Sequence, residues 1–234
     1  MKMADFTPRF TKPEKGNKYY IRKVSGGYSP AIKGSPTDPD CDVLHNCVGY
    51  AWGRFHEIAG VTTVLFDPVN AENIFANAKA HGLKTGSEPK LGALMIWQKG
   101  ATLSGSDGAG HVAVVEQINA DGSIVTSESG WNTKNPFWTT VRRAPWTYGT
   151  GYTFLGFVYQ PEKESVPDKP IRKGDKGDAV RWMQTKLAER GYLRKNEIDG
   201  DFGKITLGAV LAFQLENGLV PDGVCGQLTV ASLT

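Results

Sequence analysis

Ten residues, Pro161 to Pro170, read PEKESVPDKP and do more than any other segment to restrict how this chain can fold. Charged residues and three prolines replace the aromatic-rich TGYTFLGFVYQ just before them. Proline fixes φ and removes a backbone donor, so neither a helix nor a central strand can run through such a segment. It reads as a linker, and it divides the 234 residues into a larger part, 1–160, and a smaller one, 171–234. Each part must then bury its own core.

Composition narrows the classes. Hydrophobic residues make up 40% and aromatics 10%, with 28 Gly and 13 Pro, which suits a loop-rich globular protein rather than a fibrous or disordered one. The net charge is only +3 and no dense run of Lys and Arg occurs, which argues against a nucleic-acid partner. Met1 to Lys18 holds no continuous apolar segment of signal-peptide length, and nothing approaches the roughly 20 apolar residues of a membrane span. The expectation is a protein without a signal peptide and without membrane insertion. Cys41, Cys47 and Cys225 are too few and too scattered for a disulfide framework. An odd count leaves a free thiol, which fits a reducing cytoplasm and keeps a catalytic cysteine open.

In the larger part, Asn46 to Ile58 lacks Pro and places Val48, Trp52 and Phe55 near helical spacing behind Asn46, a good N-cap. Cys47 then opens a helix. Asn70 to Ala80 is a second helix, ended by Gly82. Apolar runs at Ala93 to Trp97, His111 to Ile118, Ser123 to Ser127 and Phe154 to Tyr159 read as antiparallel strands, the middle pair joined by the turn Asn119-Ala120-Asp121-Gly122. In the smaller part, Val180, Met183 and Leu187 lie on one face of a helix closed by Gly191, and Val210 and Phe213 mark another closed by Gly218. A short repeat is also present. Asp199-Gly200-x-x-Gly203-x-x-Thr206 recurs as Asp222-Gly223-x-x-Gly226-x-x-Thr229, each a tight turn leading into a helix.

A thiol at a helix start sits in a partial positive charge that favours thiolate, and a nearby histidine can take its proton. Cys47 has the first feature. His111 follows the Gly-rich loop Gly105 to Gly110 and opens the strand HVAVVEQ, where its ring can face a helix start. A third group should accept a hydrogen bond from the other imidazole nitrogen. Glu128 is the best placed, because the Asp121-Gly122 turn brings the end of its strand beside the start of the His111 strand. By spacing alone, a buried inert Cys47 and a satisfied polar His111 remain an equal alternative.

The blocks Asn46-Cys47-Val48-Gly49-Tyr50-Ala51-Trp52-Gly53-Arg54, Gly92-Ala93-Leu94-Met95-Ile96-Trp97, Gly110-His111-Val112-Ala113-Val114-Val115 and Ser127-Glu128-Ser129-Gly130-Trp131 resemble, in this order, the CHAP family of cysteine/histidine-dependent amidohydrolase/peptidases. The resemblance covers most of residues 40–160. It implies an α+β papain-like catalytic domain, an antiparallel sheet with N-terminal helices, that cuts amide bonds of peptidoglycan. Cys47 would be the nucleophile, His111 the general base and Glu128 the group that orients it. Many relatives carry Asn two residues after the Glu, where this chain has Gly130, with Asn132 only a weak substitute. Trp131 and Trp52 are candidates to line the groove.

No cofactor is required by this chemistry. Asp38, Asp40 and Asp42 do alternate as the first ligands of a calcium loop would. An EF-hand counted from Asp38 wants Gly at Val43 and Glu at Gly49, so a partial calcium site and a plain solvated turn both stay open. Cys41, His45 and Cys47 lack the fourth ligand that a zinc centre needs, since His56 points elsewhere along its helix.

The smaller part resembles the three-helix peptidoglycan-binding domain of wall hydrolases. Val180, Gln184, Leu187, Gly191-Tyr192, Phe202-Gly203, Phe213-Gln214 and Gly218-Leu219, together with both copies of the repeat, carry that likeness. It implies a small all-α domain and bacterial peptidoglycan as partner. Cys225 takes the repeat position of Phe202 and reads as buried filler. The combined expectation is a monomeric wall hydrolase of the phage-endolysin type, held in the host cytoplasm until its release to the wall. The rival from another class is a non-catalytic wall-binding or structural module with an inert cysteine.

Overall fold

The protein is described here from a computed structural model, in which residues 6–22, 29–103, 108–161 and 166–234 are described. Part of the Gly-rich loop ahead of His111, 104–107, part of the linker, 162–165, and the first five residues of the Met1–Lys18 segment lie outside them. The chain forms two compact units, Met1–Pro161 and Glu162–Thr234.

In the first unit a short antiparallel pair, β1 (Thr37–Asp38) and β2 (Val43–Leu44), leads into α1 (Cys47–Ala59), followed by α2 (Ala71–Ala80). Six strands then build one sheet: β3 (Thr85–Gly86), β4 (Leu94–Lys99), β5 (His111–Ile118), β6 (Ile124–Glu128), β7 (Trp138–Arg142) and β8 (Tyr152–Val158). Their order is β3-β8-β4-β5-β6-β7, and every neighbouring pair is antiparallel. α1 lies against β5, and α2 against β4 and β8.

Alternation along the strands sorts the core into two layers. Leu94, Ile96, Val112 and Val114 face the helices and join Val48, Ala51, Phe55, Ile74 and Ala78. Met95, Trp97, Ala113 and Val115 face the other way and join Ile124 and Phe157, partly covered by Trp146, Tyr148 and Tyr152. The second layer therefore gets its cover from the segment between β7 and β8 rather than from a helix.

The sequence predicts four of these strands. It misses β7 because the strand inverts the usual signal: Val141 is exposed while Arg142 is buried. The pairs β1, β2 and β3 are two residues each, too short for any periodicity to register.

The second unit holds α3 (Asp178–Glu189), α4 (Lys204–Glu216) and α5 (Gln227–Leu233), with one 3-10 turn at Lys195–Glu197. The molecule is thus an antiparallel sheet with helices, followed by a helical region. Val180, Met183, Leu187, Val210, Phe213, Val230 and Leu233 form the second core, together with Phe202 and Cys225. The two repeat turns are built identically. Gln184 Nε2 donates to Asp199 Oδ1, to the Asp201 carbonyl and to Thr206 Oγ1 at 2.8, 3.1 and 3.0 Å, while its Oε1 accepts from Gly200 N–H at 2.7 Å. Gln214 does the same for Asp222, Val224, Thr229 and Gly223, at 2.9, 3.0, 3.1 and 2.9 Å. Each buried amide thus has its oxygen and nitrogen bonded by one turn, which fixes that turn against the preceding helix. Cys225 is buried at the position of Phe202, and burial pushes its thiol up to about 12, which keeps it protonated and inert.

Candidate active site

Cys47 is the first residue of α1, and Asn46 makes that start sharp. Its extended backbone, φ −159° and ψ 139°, lets Oδ1 accept from Val48 and Gly49 N–H at 2.7 and 3.1 Å. Its Nδ2 in turn donates to the Ala31 carbonyl and Ser35 Oγ at 3.0 and 3.1 Å, so the cap is anchored from both sides. Loss of such a cap costs about 1 kcal/mol. The cap takes two of the first helical N–H groups and leaves that of Cys47 outside its bonds. Cys47 is partly exposed, whereas Cys41 and Cys225 are buried.

His111 begins β5 and is buried. Its Nε2 lies 2.9 Å from Glu128 Oε2 at the end of β6. With Nε2 so engaged, Nδ1 is the nitrogen left to face the Cys47 thiol, which lies close enough to act on the ring's charge. Burial opposes a charged imidazole here, but the bonds to Cys47 and Glu128 and their negative charge overcome it and raise His111 to about 9. Glu128 is fully buried, yet its bond to His111, together with the charges of His111 and Arg142 and the Thr126 hydroxyl, lowers it to about 2. The fold places His111 against Glu128, with Cys47 close enough to act on the ring's charge.

The ring is walled by aromatics. Tyr148 stacks on it with centroids 4.2 Å apart and planes 20° apart, while Trp97 and Trp138 lie 5.9 and 6.4 Å away. Trp138 also explains Gly130. A Cβ at that position would meet Thr133 Cγ2 at 2.8 Å and the Trp138 ring at 3.1 Å, so a side chain there requires these neighbours to shift. Asn132 is exposed and takes φ +50°. Of the two tryptophans expected at a groove, Trp52 is core: it is buried, and its Nε1 donates to the Phe66 carbonyl at 2.9 Å. Trp131 is exposed, on a loop that Thr133 ties to His45 Nε2 at 2.9 Å, two residues before Cys47.

Asp38, Asp40 and Asp42 do not converge. Asp38 accepts from the Cys41 thiol at 3.2 Å and pairs with Lys12 Nζ at 2.9 Å. The same ammonium reaches Asp40 at 3.1 Å, and Asp42 turns away to accept from Gly16 N–H at 3.1 Å. Among the described residues no group of three or more His, Cys, Asp or Glu is placed to hold a metal ion. Lys12 supplies the counter-charge for Asp38 and Asp40 in this arrangement, which favours the plain turn over a calcium site. His45, which the sequence aligned with Cys41 and Cys47, faces the 129–137 loop instead.

Arg142, Thr126 and Tyr148 were not singled out from the sequence. Arg142 lies on β7, whose inverted burial hides it from a pattern reading, although a buried carboxylate does call for a counter-charge.

Residues 38–130 match the CHAP domain and residues 176–233 match the putative peptidoglycan binding domain. The chain therefore carries a region similar to each of these two modules. It is 41% identical over 69 residues to an uncharacterised protein of Kitasatospora aureofaciens, covering 30% of this chain and 58% of that one. It is 40% identical over 57 residues to the N-acetylmuramoyl-L-alanine amidase CwlM of Mycobacterium tuberculosis, covering 24% and 14% respectively. It is 35% identical over 139 residues to the staphylococcal secretory antigen ssaA2 of Staphylococcus aureus, covering 57% and 43%. In each case the chain spans less than two thirds of the relative's length.

Proposed function

We propose that the protein is a cysteine-dependent hydrolase of bacterial peptidoglycan, with Cys47 as nucleophile, His111 as acid and base and Glu128 as the carboxylate that orients His111. The observation that carries this reading is the placement of one imidazole between a partly exposed thiol at a capped helix start and a fully buried carboxylate. The raised His111 can take up and hold the proton that Cys47 gives up. Cys47 Sγ then attacks the carbonyl carbon of a wall amide, His111 passes its proton to the nitrogen as the C–N bond breaks, and the amine leaves. Water, giving its proton to His111, hydrolyses the thioester and frees Cys47. The Cys47 N–H at the helix start is a suitable donor to the oxyanion. The second module holds the enzyme to its polymeric substrate.

The test is Cys47→Ala beside Cys225→Ser. Cys47→Ala should abolish lysis of purified walls while keeping its circular dichroism and wall sedimentation, and Cys225→Ser should stay active. Full lysis by folded Cys47→Ala would end the proposal. Mass spectrometry of the digest, comparing new amino termini with released lactyl carboxyls, then separates amidase from endopeptidase.

A further inference from the structure

The Glu128 carboxylate ends in a cation that plays no part in the chemistry above. Arg142 Nη2 contacts both its oxygens, at 2.6 and 2.8 Å. Arg142 Nε donates to Thr126 Oγ1 at 3.2 Å, and that hydroxyl donates to Glu128 Oε1 at 2.6 Å. Oε1 is thereby filled, which leaves Oε2 turned to His111 Nε2 at 2.9 Å. The guanidinium itself is boxed in, with its carbon 4.7 Å from the Trp97 ring centre and 5.2 Å from that of Tyr148, the same ring that stacks on His111. All of these groups are buried or nearly so, so the carboxylate has little freedom to reorient.

We infer that Arg142 is a positioning residue of this site: it fixes which oxygen of Glu128 meets His111 and keeps that carboxylate ionised, and so acts on the reaction only through Glu128. The inference rests on the Cys47–His111–Glu128 reading. A guanidinium can do this where an ammonium cannot, because its planar fork bonds the carboxylate and the Thr126 hydroxyl at once while lying against flat rings. The other charged or titratable groups facing His111 are Cys47 from α1 and Tyr148 from the segment before β8, and neither touches the far side of Glu128. Removing the Arg142 charge makes the buried Glu128 easier to protonate, because burial alone favours the neutral acid. The sign follows: activity should fail at a higher pH on the acid side.

The experiment compares Arg142→Gln, Arg142→Lys, Glu128→Gln and the double variant Arg142→Gln/Glu128→Gln in the full chain, with rates on purified walls measured across pH below each variant's melting temperature. Arg142→Gln should lower kcat about 10- to 100-fold, as loss of an outer partner does for metal-bound histidines, and move the acid limb up. Arg142→Lys keeps the charge but not the fork, so its acid limb should stay near wild type while kcat still falls. In the double variant the two losses should not add, since both act through one carboxylate. Additive losses, or an unmoved acid limb in Arg142→Gln, would overturn the inference. If Arg142→Gln does not fold, the Arg142→Lys profile decides by itself: wild-type kcat refutes it. Lysis by folded Cys47→Ala would instead remove the reading beneath it, so the two failures are distinguishable.

Discussion

Two buried carboxylates on neighbouring strands, Glu128 and Glu116, each sit against an arginine, yet only one is near reactive groups. Glu116 on β5 receives Arg54 at 2.9 and 2.8 Å, Ser127 Oγ at 2.7 Å and the Arg9 N–H at 2.8 Å. Arg54 and Arg9 go on to Glu57, each at 2.6 Å, so the charges close on themselves and tie residues 7–9 to α1 and β5. Glu128 on β6 has the same kind of arginine contact but ends on an imidazole that meets a thiol. Ser127 and Glu128 are consecutive, and strand alternation sends one into each cluster. Burial and ion pairing are common to both. What separates them is the last member: a guanidinium cannot give up its proton in a protein, whereas an imidazole can.

Deleting that last member should give the largest effect. His111→Ala is expected to lower wall hydrolysis about 10⁴-fold or more, read by turbidity at a temperature where calorimetry shows the variant folded. Equal loss on mutating Arg9 would erase the distinction. Next, Arg54→Ala breaks the closed cluster and leaves Glu116 buried without its counter-charge, which should cost about 3–5 kcal/mol in urea unfolding. Iodoacetamide should still label Cys47 in the folded variant at the wild-type rate. A changed labelling rate would mean that the clusters are coupled.

pH should sharpen the contrast more gently. His111 is raised to about 9, so its contribution to stability is present below the ordinary histidine value and is lost as pH climbs through about 9. Hydrolysis should fall over that same window, for want of a proton to give the leaving amine, while alkylation of Cys47 does not fall. Glu128→Gln should bring the hydrolysis limb down in pH, and Glu116→Gln should leave it in place. The smallest effect is expected from chelator. With Lys12 between Asp38 and Asp40, EDTA should shift neither melting temperature nor rate, and a drop in both, reversed by calcium, would show that the turn rearranges around a cation.

How far the sequence revealed this site depended on where each partner lay along the chain. The start at Cys47 is readable because Asn46 is a strong local cap, and the His111–Glu128 pair because one short turn joins their strands. Arg142 enters through β7, paired so that Ile124 faces Arg142, and that register is set by the inverted burial of Val141 and Arg142, which no hydrophobic pattern announces. The repeat of the second unit was visible as two Asp-Gly turns, but Gln184 and Gln214 are separated from them by unequal stretches and become equivalent only in three dimensions. The calcium spacing was a property of alternate residues alone. It ignored Lys12, which is remote in sequence and adjacent in space.

Gly130 carries a consequence for natural variation. A side chain there would press on the Thr133 methyl and on the Trp138 ring, so a larger residue at 130 requires one of them to give. A homologue with asparagine at 130 should therefore tend to carry a smaller residue at 133 or a slimmer one at 138. Trp138 lies beside the His111 ring, and a family-wide tally of residues 130, 133 and 138 would show how often that adjustment has been made next to the imidazole.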